Sequence, residues 1–221
     1  MITLSPTQTQ EDLAFWLNQD REHNYFFMGG FTDAMLKKGA ERLFQAYDKA
    51  LRRGNLRQAL AIVPAAQTYK HQALARIQSN AGAYGYIWPS FVQHTGREIE
   101  TMLARVQGRL RSREEVCHGD RMLAEHAAFA ASLLDPVEEV PLANVARDAS
   151  NRTLQLAARC ATDNLGTIIA LSKVAGAELD AFVKGPLGAA KSIIHPVLAN
   201  HVRREGERFM HTLDNLPNDE P

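Results

Sequence analysis

Apolar residues recur at spacings of three and four along most of the chain, which is the pattern of amphipathic α-helices. Alternating apolar and polar runs, which are typical of β-strands, are nearly absent, and no Asn-Gly or Asp-Gly turn joins two such runs. The same stretches are rich in Ala, Leu, Arg, Gln and Glu, all of which favour helix. The pattern therefore predicts an all-α protein.

Glycines, prolines and polar residues mark where the expected helices begin and end. Thr9 with Asp12 resembles a capping box, so the first helix is expected from about Thr9 to Gly30. The remaining helices are expected at about 32–53, 56–79, 89–111, 119–134, 142–160 continuing to 181, and 195–214. A kink is expected at Pro64 and a break near 164–166. Residues 80–86 are expected to form a loop, 184–188 a turn, and 215–221 a frayed tail.

Two sequence motifs occur twice, which predicts a duplicated helical unit. The segment EHNYFFMG at 22–29 matches EHAAFAAS at 125–132, an offset of 103 residues. The segment PSFVQHTGREIETML at 89–103 matches PVLANHVRREGERFM at 196–210, an offset of 107, with Pro, His, Arg, Glu and Glu in register. We therefore expect two pseudo-symmetric repeats, residues 1–116 and 117–221, packed about a pseudo-twofold axis as one compact domain.

The repeated motifs carry residues that bind transition metals. Each repeat has an adjacent Glu-His pair near its start and a His-x-x-x-Glu pair near its end, and residues four apart share a helix face. Each His-x-x-x-Glu pair can therefore direct an imidazole and a carboxylate at one point. The two repeats are expected to converge on the metal. The candidate ligands are Glu22, His23, His94, Glu98, Glu125, His126, His201 and Glu205.

Either residue of each adjacent Glu-His pair could be the metal ligand, because neighbouring residues on a helix point in directions about 100° apart. We take Phe15, Gln19 and Phe26 as the inward line of the first helix, which Glu22 and His23 flank on either side. The glutamates are favoured as ligands, and the histidines are either ligands or donors to them. Carboxylates and imidazoles without a thiolate favour iron, with manganese as the alternative, in a dinuclear site or two mononuclear sites.

These motifs resemble a bacterial family of ferritin-like metal-binding proteins whose function is unknown and which is known mainly from bacilli. The family pattern is Glu-His in an early helix, an aromatic residue soon after it, and a later His-x-x-Arg-Glu-x-Glu helix, all duplicated. The matching residues are Glu22, His23, Phe26, His94, Arg97, Glu98 and Glu100, then Glu125, His126, Phe129, His201, Arg204, Glu205 and Glu207. Residues 133–136, LLDP, also resemble the family. The resemblance implies a ferritin-like helical bundle with a metal site, and it implies no reaction.

Other polar residues have simpler interpretations. Glu100 and Glu207 lie about 200° around the helix from the candidate ligands and each follows an arginine by three, which favours surface ion pairs. Four histidines have no repeat partner and are interpreted as structural or exposed: His71, His118, His195 and His211. His195, which lies beside Pro196, is interpreted as filling an aromatic slot. Cys117 and Cys160 are interpreted as packed, reduced thiols.

Composition narrows the expected partners. The chain has 25 Lys+Arg and 25 Asp+Glu, so its formal net charge of zero argues against nucleic acid and acidic membranes. It has no apolar run of about 20 residues and no basic segment before the first helix, so neither a membrane span nor a signal peptide is expected, and the expected location is cytoplasmic. The expected partners are a small-molecule substrate or dioxygen, and a homodimer is left open.

Three functions fit these residues. The leading hypothesis is an oxidase or oxygenase whose reduced metal reacts with dioxygen or a peroxide. The second is non-catalytic metal handling or sensing with the same ligands. The third is a metal-free helical interaction protein, in which the repeated Glu and His residues form a buried structural network.

Overall fold

The computed structural model describes residues 6–79, 85–185 and 195–216, with side chains from residue 9 onward. Within these ranges the regular secondary structure is helical, apart from one isolated antiparallel bridge between Phe31 and Gly85. The all-α prediction is confirmed. The helices are α1 (Pro6–Gly30), α2 (Ala34–Arg52), α3 (Leu56–Leu60), α4 (Val63–Gln78), α5 (Pro89–Val106), α6 (Ser112–Leu133), α7 (Val140–Arg159), α8 (Leu165–Lys184) and α9 (Pro196–Asn215).

Several predicted helix boundaries are wrong, including the end of the helix expected at 89–111, since α5 ends at Val106. Helix α1 begins at Pro6, so Thr9 lies inside the helix and does not cap it. The helix expected at 56–79 is two helices, because Pro64 occupies the first turn of α4, where its missing N–H is not needed. Helix α6 begins at Ser112, since the Glu114 carboxylate accepts the backbone N–H of Arg111 and caps the helix there. The expected loop at 80–84, most of the expected turn at 184–188 and the tail from 217 lie outside the described residues.

The chain divides into two compact units between Arg109 and Leu110, whereas the boundary predicted after residue 116 falls inside α6. We call α1–α5 the first unit and α6–α9 the second unit. In the first unit, α1 packs on α2 and α5, and α4 packs on α2 and α5. In the second unit, α6 packs on α7, α8 and α9, and α8 packs on α7 and α9. Each unit is thus a bundle in which the helix that carries a Glu-His pair contacts the helix that carries a His-x-x-x-Glu pair.

Buried apolar side chains fix these helix contacts. In the first unit, Phe27 of α1 lies against Phe91 of α5, with ring centroids 5.5 Å apart, and also contacts Tyr69 of α4. The Tyr69 hydroxyl donates a hydrogen bond of 2.9 Å to the backbone oxygen of Leu36, which satisfies its polar end. In the second unit, a side chain added at Gly119 of α6 would overlap the ring of Phe209 of α9. The glycine therefore lets α6 and α9 approach closely.

The two cysteines form a disulfide, so the prediction of reduced thiols is wrong. Cys117 of α6 is bonded to Cys160, the residue that follows α7 and lies 43 positions further along the sequence. The packing of α6 on α7 brings their Cα atoms to 5.4 Å, a separation that a disulfide spans. Among the described helices, none combines the length and hydropathy that crossing a membrane requires.

Candidate metal centre

Three of the predicted residues meet inside the first unit. The two carboxylate oxygens of Glu98 face different imidazoles: Oε2 lies 3.1 Å from His23 Nε2, and Oε1 lies 3.1 Å from His94 Nε2. His94 and Glu98 are one turn apart on α5, as their spacing predicts, and His23 reaches them from α1. We call these three residues the first cluster.

The second unit contains the same arrangement. Glu205 Oε2 lies 3.1 Å from His126 Nε2, and Glu205 Oε1 lies 3.4 Å from His201 Nε2. His126 is on α6, and the other two residues are one turn apart on α9. The two imidazole centroids are 6.4 Å apart, the same separation as in the first cluster. We call these three residues the second cluster.

Both clusters are withdrawn from solvent. Their six side chains are between 0% and 3% exposed. An ionised carboxylate at that depth costs several kcal/mol unless a cation, a metal or hydrogen bonds compensate it. Imidazoles at 3.1–3.4 Å supply part of that compensation, and a bound metal cation would supply more.

The donor atoms fit a transition metal. Ligand atoms at about 2.0–2.2 Å from one ion, at right angles to each other, are themselves about 3 Å apart. In each cluster, each imidazole lies 3.1–3.4 Å from its own oxygen of the shared glutamate, a spacing that suits two ligands of one ion and also a hydrogen bond. Imidazole and carboxylate are the donor types of non-haem iron oxygenases and of catalytic zinc sites, both of which leave coordination positions open. The residue types present therefore fit an open transition-metal site.

The glutamates of the Glu-His pairs lie elsewhere. Glu22 accepts a hydrogen bond of 3.3 Å from Asn18 and lies 3.6 Å from the Arg21 guanidinium. Glu125 lies 3.1 Å from the Arg121 guanidinium, and its side chain is 20% exposed. The structure thus places the histidine of each pair, and not the favoured glutamate, beside the His-x-x-x-Glu carboxylate. A ligand role for these two glutamates stays a prediction.

The helix faces explain this difference. The buried line of α1 runs through Gln19, His23 and Phe27 at spacings of four, and all three are at most 1% exposed. The line expected from the sequence ran through Phe26, which is one position and about 100° away. Centring the line on Gln19, His23 and Phe27 turns His23 inward and Glu22 toward the edge.

A buried ion pair behind His23 was not anticipated from the sequence. Lys70 Nζ of α4 lies 2.6 Å from Asp20 Oδ1 and donates a second hydrogen bond of 2.9 Å to the backbone oxygen of Thr95. Asp20 Oδ1 lies 3.9 Å from His23 Nδ1, on the side of the ring opposite to Glu98. Burial alone would raise the pKa of Asp20, but the Lys70 ammonium and His23 outweigh it and hold that pKa at about 2. The available signal was that Asp20 precedes His23 by three, on one helix face.

The second cluster has no carboxylate at the corresponding position. An offset of 103 from Asp20 leads to Leu123, which is buried. The buried carboxyl of α6 is instead Asp120, which accepts a hydrogen bond of 2.8 Å from Ser172 Oγ of α8. Burial raises the pKa of Asp120 to about 7, although the Ser172 hydroxyl opposes this shift. The two units therefore share their donor atoms and differ in the groups behind them.

A small cavity borders the first cluster. Polar atoms of His23, Glu98 and Asp20 line it, together with apolar side chains that include Ile99 and Met102. Its walls all belong to the first unit. The cavity is about the size of one water molecule and lies beside two of the three donor residues.

The remaining predicted polar residues serve local structure. Glu207 is exposed and lies 2.6 Å from Arg203 and 3.4 Å from Lys184, so its surface ion pairing is confirmed, with Arg203 as a partner. Glu100 is also exposed, as are His71 and His211. His195 is not a filler of an aromatic slot: its Nδ1 accepts the backbone N–H of Val197 and caps α9.

Comparison with known proteins supports the fold and no function. No family model and no curated protein matches the chain. The crystal structure of an uncharacterized protein from Bacillus cereus G9241 is similar to it, with a TM-score of 0.85 and 14% identity over 96% of this chain and 92% of that chain. A likeness at this identity shows a shared all-α fold alone.

Proposed function

We propose that this chain is a ferritin-like metal-binding protein in which each unit contributes two histidines and one glutamate to a transition metal, with iron as the first candidate and manganese as the alternative. The observation that carries the proposal is that one buried donor set occurs twice, with nitrogen–oxygen distances of 3.1–3.4 Å each time. In both units the arrangement also buries a carboxylate between two imidazoles, and a metal cation would compensate the buried charge of that carboxylate.

The proposed reaction class is oxidation by dioxygen or a peroxide. Iron or manganese held by two imidazoles and one carboxylate supplies open coordination positions for such a reactant. The chain's own residues hold the donor atoms in place: the α5 and α9 turns fix the His-x-x-x-Glu pairs, and α1 and α6 bring the third imidazole. Phe91 and Met102 flank the donors on α5 and exclude water from the first cluster. The cavity beside His23 and Glu98 favours a small reactant.

Elemental analysis of the chain purified without added metal tests the proposal. Variants His94→Ala, Glu98→Ala, His201→Ala and Glu205→Ala are each expected to hold less iron or manganese than the wild type. Glu100→Ala and Glu207→Ala are the matched controls, since both residues are exposed glutamates two positions after a candidate ligand. Unchanged metal content in all four ligand variants would overturn the proposal and leave the metal-free interaction protein.

Oxygen uptake separates the reactive protein from a metal-handling protein. The chain is loaded with Fe(II) under argon and mixed with air-saturated buffer, and dioxygen is followed with an electrode. Consumption above that of free Fe(II) at the same concentration supports an oxidase or oxygenase. Binding without such consumption contradicts the reaction class and supports non-catalytic handling or sensing.

A further inference from the structure

The geometry points to Asp20 as a positioning residue for His23, through which it strengthens metal binding. This inference rests on the proposed function, because it concerns the residue behind a proposed ligand. It assigns a role to a buried ion pair that metal ligation alone does not require.

The first step of the argument is the direction in which His23 faces its two carboxylates. Its Nε2 lies 3.1 Å from Glu98, and its Nδ1 lies 3.9 Å from Asp20. Histidines that bind a metal through one nitrogen commonly direct the other at a carboxylate or a carbonyl. Such a partner fixes the tautomer and the ring plane and makes the ligating nitrogen more basic. Asp20 occupies that position for His23.

The second step is that Asp20 is itself held in place. Lys70 Nζ lies 2.6 Å from its Oδ1. Lys70 is in turn fixed by the backbone oxygen of Thr95, which is the neighbour of His94 on α5. Both members of the ion pair are 2% exposed. The charged support therefore connects α1, α4 and α5, the helices that surround the first cluster.

The distance sets the strength of the effect. A separation of 3.9 Å is longer than a hydrogen bond, so in this state the Asp20 carboxylate acts on the imidazole chiefly as a nearby charge. A ring shift of under about 1 Å brings Nδ1 within hydrogen-bond distance. Loss of a comparable partner in other metal sites costs about 10–100-fold in metal affinity, and we expect that range here.

The third step is the contrast with the second unit. Leu123 stands where the offset of 103 places the equivalent of Asp20, and a leucine side chain offers no acceptor to an imidazole. The buried aspartate of α6, Asp120, is bonded to Ser172 and lies six positions before His126.

The test is a titration with Mn(II), followed by the electron paramagnetic resonance signal of the free ion. We expect Asp20→Asn to weaken Mn(II) binding by about 10–100-fold. Asp120→Asn is the matched control, because it makes the same change at a buried aspartate of the other unit, and it should leave Mn(II) affinity within about twofold. A double-mutant cycle with His23→Ala then asks whether Asp20 acts through His23. In the His23→Ala background, Asp20→Asn should have no further effect.

Three outcomes are distinguishable. Wild-type protein that binds neither Mn(II) nor Fe(II) contradicts the proposed function itself. Wild-type binding with an unchanged affinity in Asp20→Asn contradicts the positioning role and leaves the proposed function standing. An equal loss from Asp20→Asn with and without His23 shows that Asp20 acts through the fold, which also overturns the inference.

A second variant keeps the test valid if Asp20→Asn does not fold. The substitution leaves Lys70 as a buried cation without its carboxylate, which is destabilising. The double variant Asp20→Asn/Lys70→Met removes both charges together and restores a neutral interior. Its melting temperature reports folding, and its Mn(II) affinity should fall as far as that of Asp20→Asn.

Discussion

The first and second clusters have the same three donor residues, but different side chains surround them. Each has one glutamate between two imidazoles, at distances that agree within 0.3 Å. Behind His23 lies a buried Asp20–Lys70 ion pair, whereas the second unit has a buried Asp120–Ser172 hydrogen bond in its interior. The comparison teaches that the donor residues are repeated between the two units, whereas the buried polar pairs near them are not.

The side chains packed near the clusters also differ between the two units. The motif offsets pair Trp16 with Gly119 and Met102 with Phe209. In the first unit a tryptophan of α1 and a methionine of α5 are both buried, and in the second unit the ring of Phe209 from α9 fills the space over Gly119 of α6. The first unit thus has a tryptophan and a methionine where the second unit has a glycine and a phenylalanine, so the side chains at these paired positions differ in size. In both units, the helices still lie close enough for the histidine of the Glu-His pair to reach the glutamate.

The largest expected effect comes from removing either central carboxylate. Glu98→Gln and Glu205→Gln should each weaken one metal-binding step by more than about 100-fold, because a neutral amide replaces an ionised donor between two imidazoles. Metal bound per chain, measured after dialysis, should fall in each variant. Unchanged metal content in both variants would contradict the ligand role of these two carboxylates.

The next expected effect distinguishes the Asp20–Lys70 ion pair from the Asp120–Ser172 hydrogen bond. Lys70→Met removes one member of a buried ion pair and should lower the free energy of unfolding by about 3–5 kcal/mol, since a buried carboxylate loses its cation. Ser172→Ala removes one hydrogen bond to Asp120 and should cost only about 1–2 kcal/mol. Thermal melts of both variants in the presence of a chelator check the difference. Equal losses of stability would show that breaking the Asp20–Lys70 ion pair costs no more than breaking the Asp120–Ser172 hydrogen bond.

Local sequence spacing was enough to predict much of the fold and part of the site. The spacing of three and four gave the helices, and the four-residue separation of His94 and Glu98 placed an imidazole and a carboxylate on one face of α5. The choice between Glu22 and His23 depended on which line of α1 faces inward. The sequence of that helix allows two inward lines, one through Phe26 and one through Phe27, which lie about 100° apart. Packing against α5 determines which of them is buried.

Contacts between distant residues could not be predicted in this way. Asp20 and Lys70 are 50 positions apart, and Cys117 and Cys160 are 43 apart, with no spacing rule that connects either pair. A lone lysine in an otherwise apolar helix face and two cysteines outside a recognisable motif are both common, so neither suggests its partner. The disulfide also removes the reduced-thiol argument for a cytoplasmic location, which stays a prediction.

The two buried aspartates should give opposite responses to pH. Asp120 ionises near 3.8 in an unfolded chain and near 7 in the folded protein, so between these values the folded state binds more protons. Its contribution to stability is therefore complete below about pH 4 and is lost as the pH rises through about 7. At about 1.4 kcal/mol per pKa unit, the loss is on the order of 4 kcal/mol.

Asp20 contributes in the other direction. Its pKa is held at about 2, so its contribution is present above about pH 4 and is lost as the pH falls toward 2. Melting temperatures of wild type and Asp120→Asn, measured with chelator from pH 4 to pH 8, test the contrast. The difference between the two proteins should shrink or change sign as the pH rises through 7. A constant difference over that range would contradict the raised pKa of Asp120.

The smallest expected effect on metal binding concerns the disulfide, which belongs to the second unit alone because both cysteines of the chain lie there. Cross-linking positions 43 residues apart restricts the unfolded chain, so Cys117→Ala/Cys160→Ala should lower the stability of this unit by about 2–4 kcal/mol. Amide hydrogen exchange should accelerate in α6 and α7 and stay unchanged in α1 and α2, which serve as an internal control. Cys117 lies more than two helical turns before His126, so the donor atoms of the second cluster should keep their places and Mn(II) affinity should change by less than about threefold. Faster exchange in α1 as well would show that the two units unfold together, and a large loss of Mn(II) affinity would make the disulfide a support of the second cluster, comparable to Asp20 in the first.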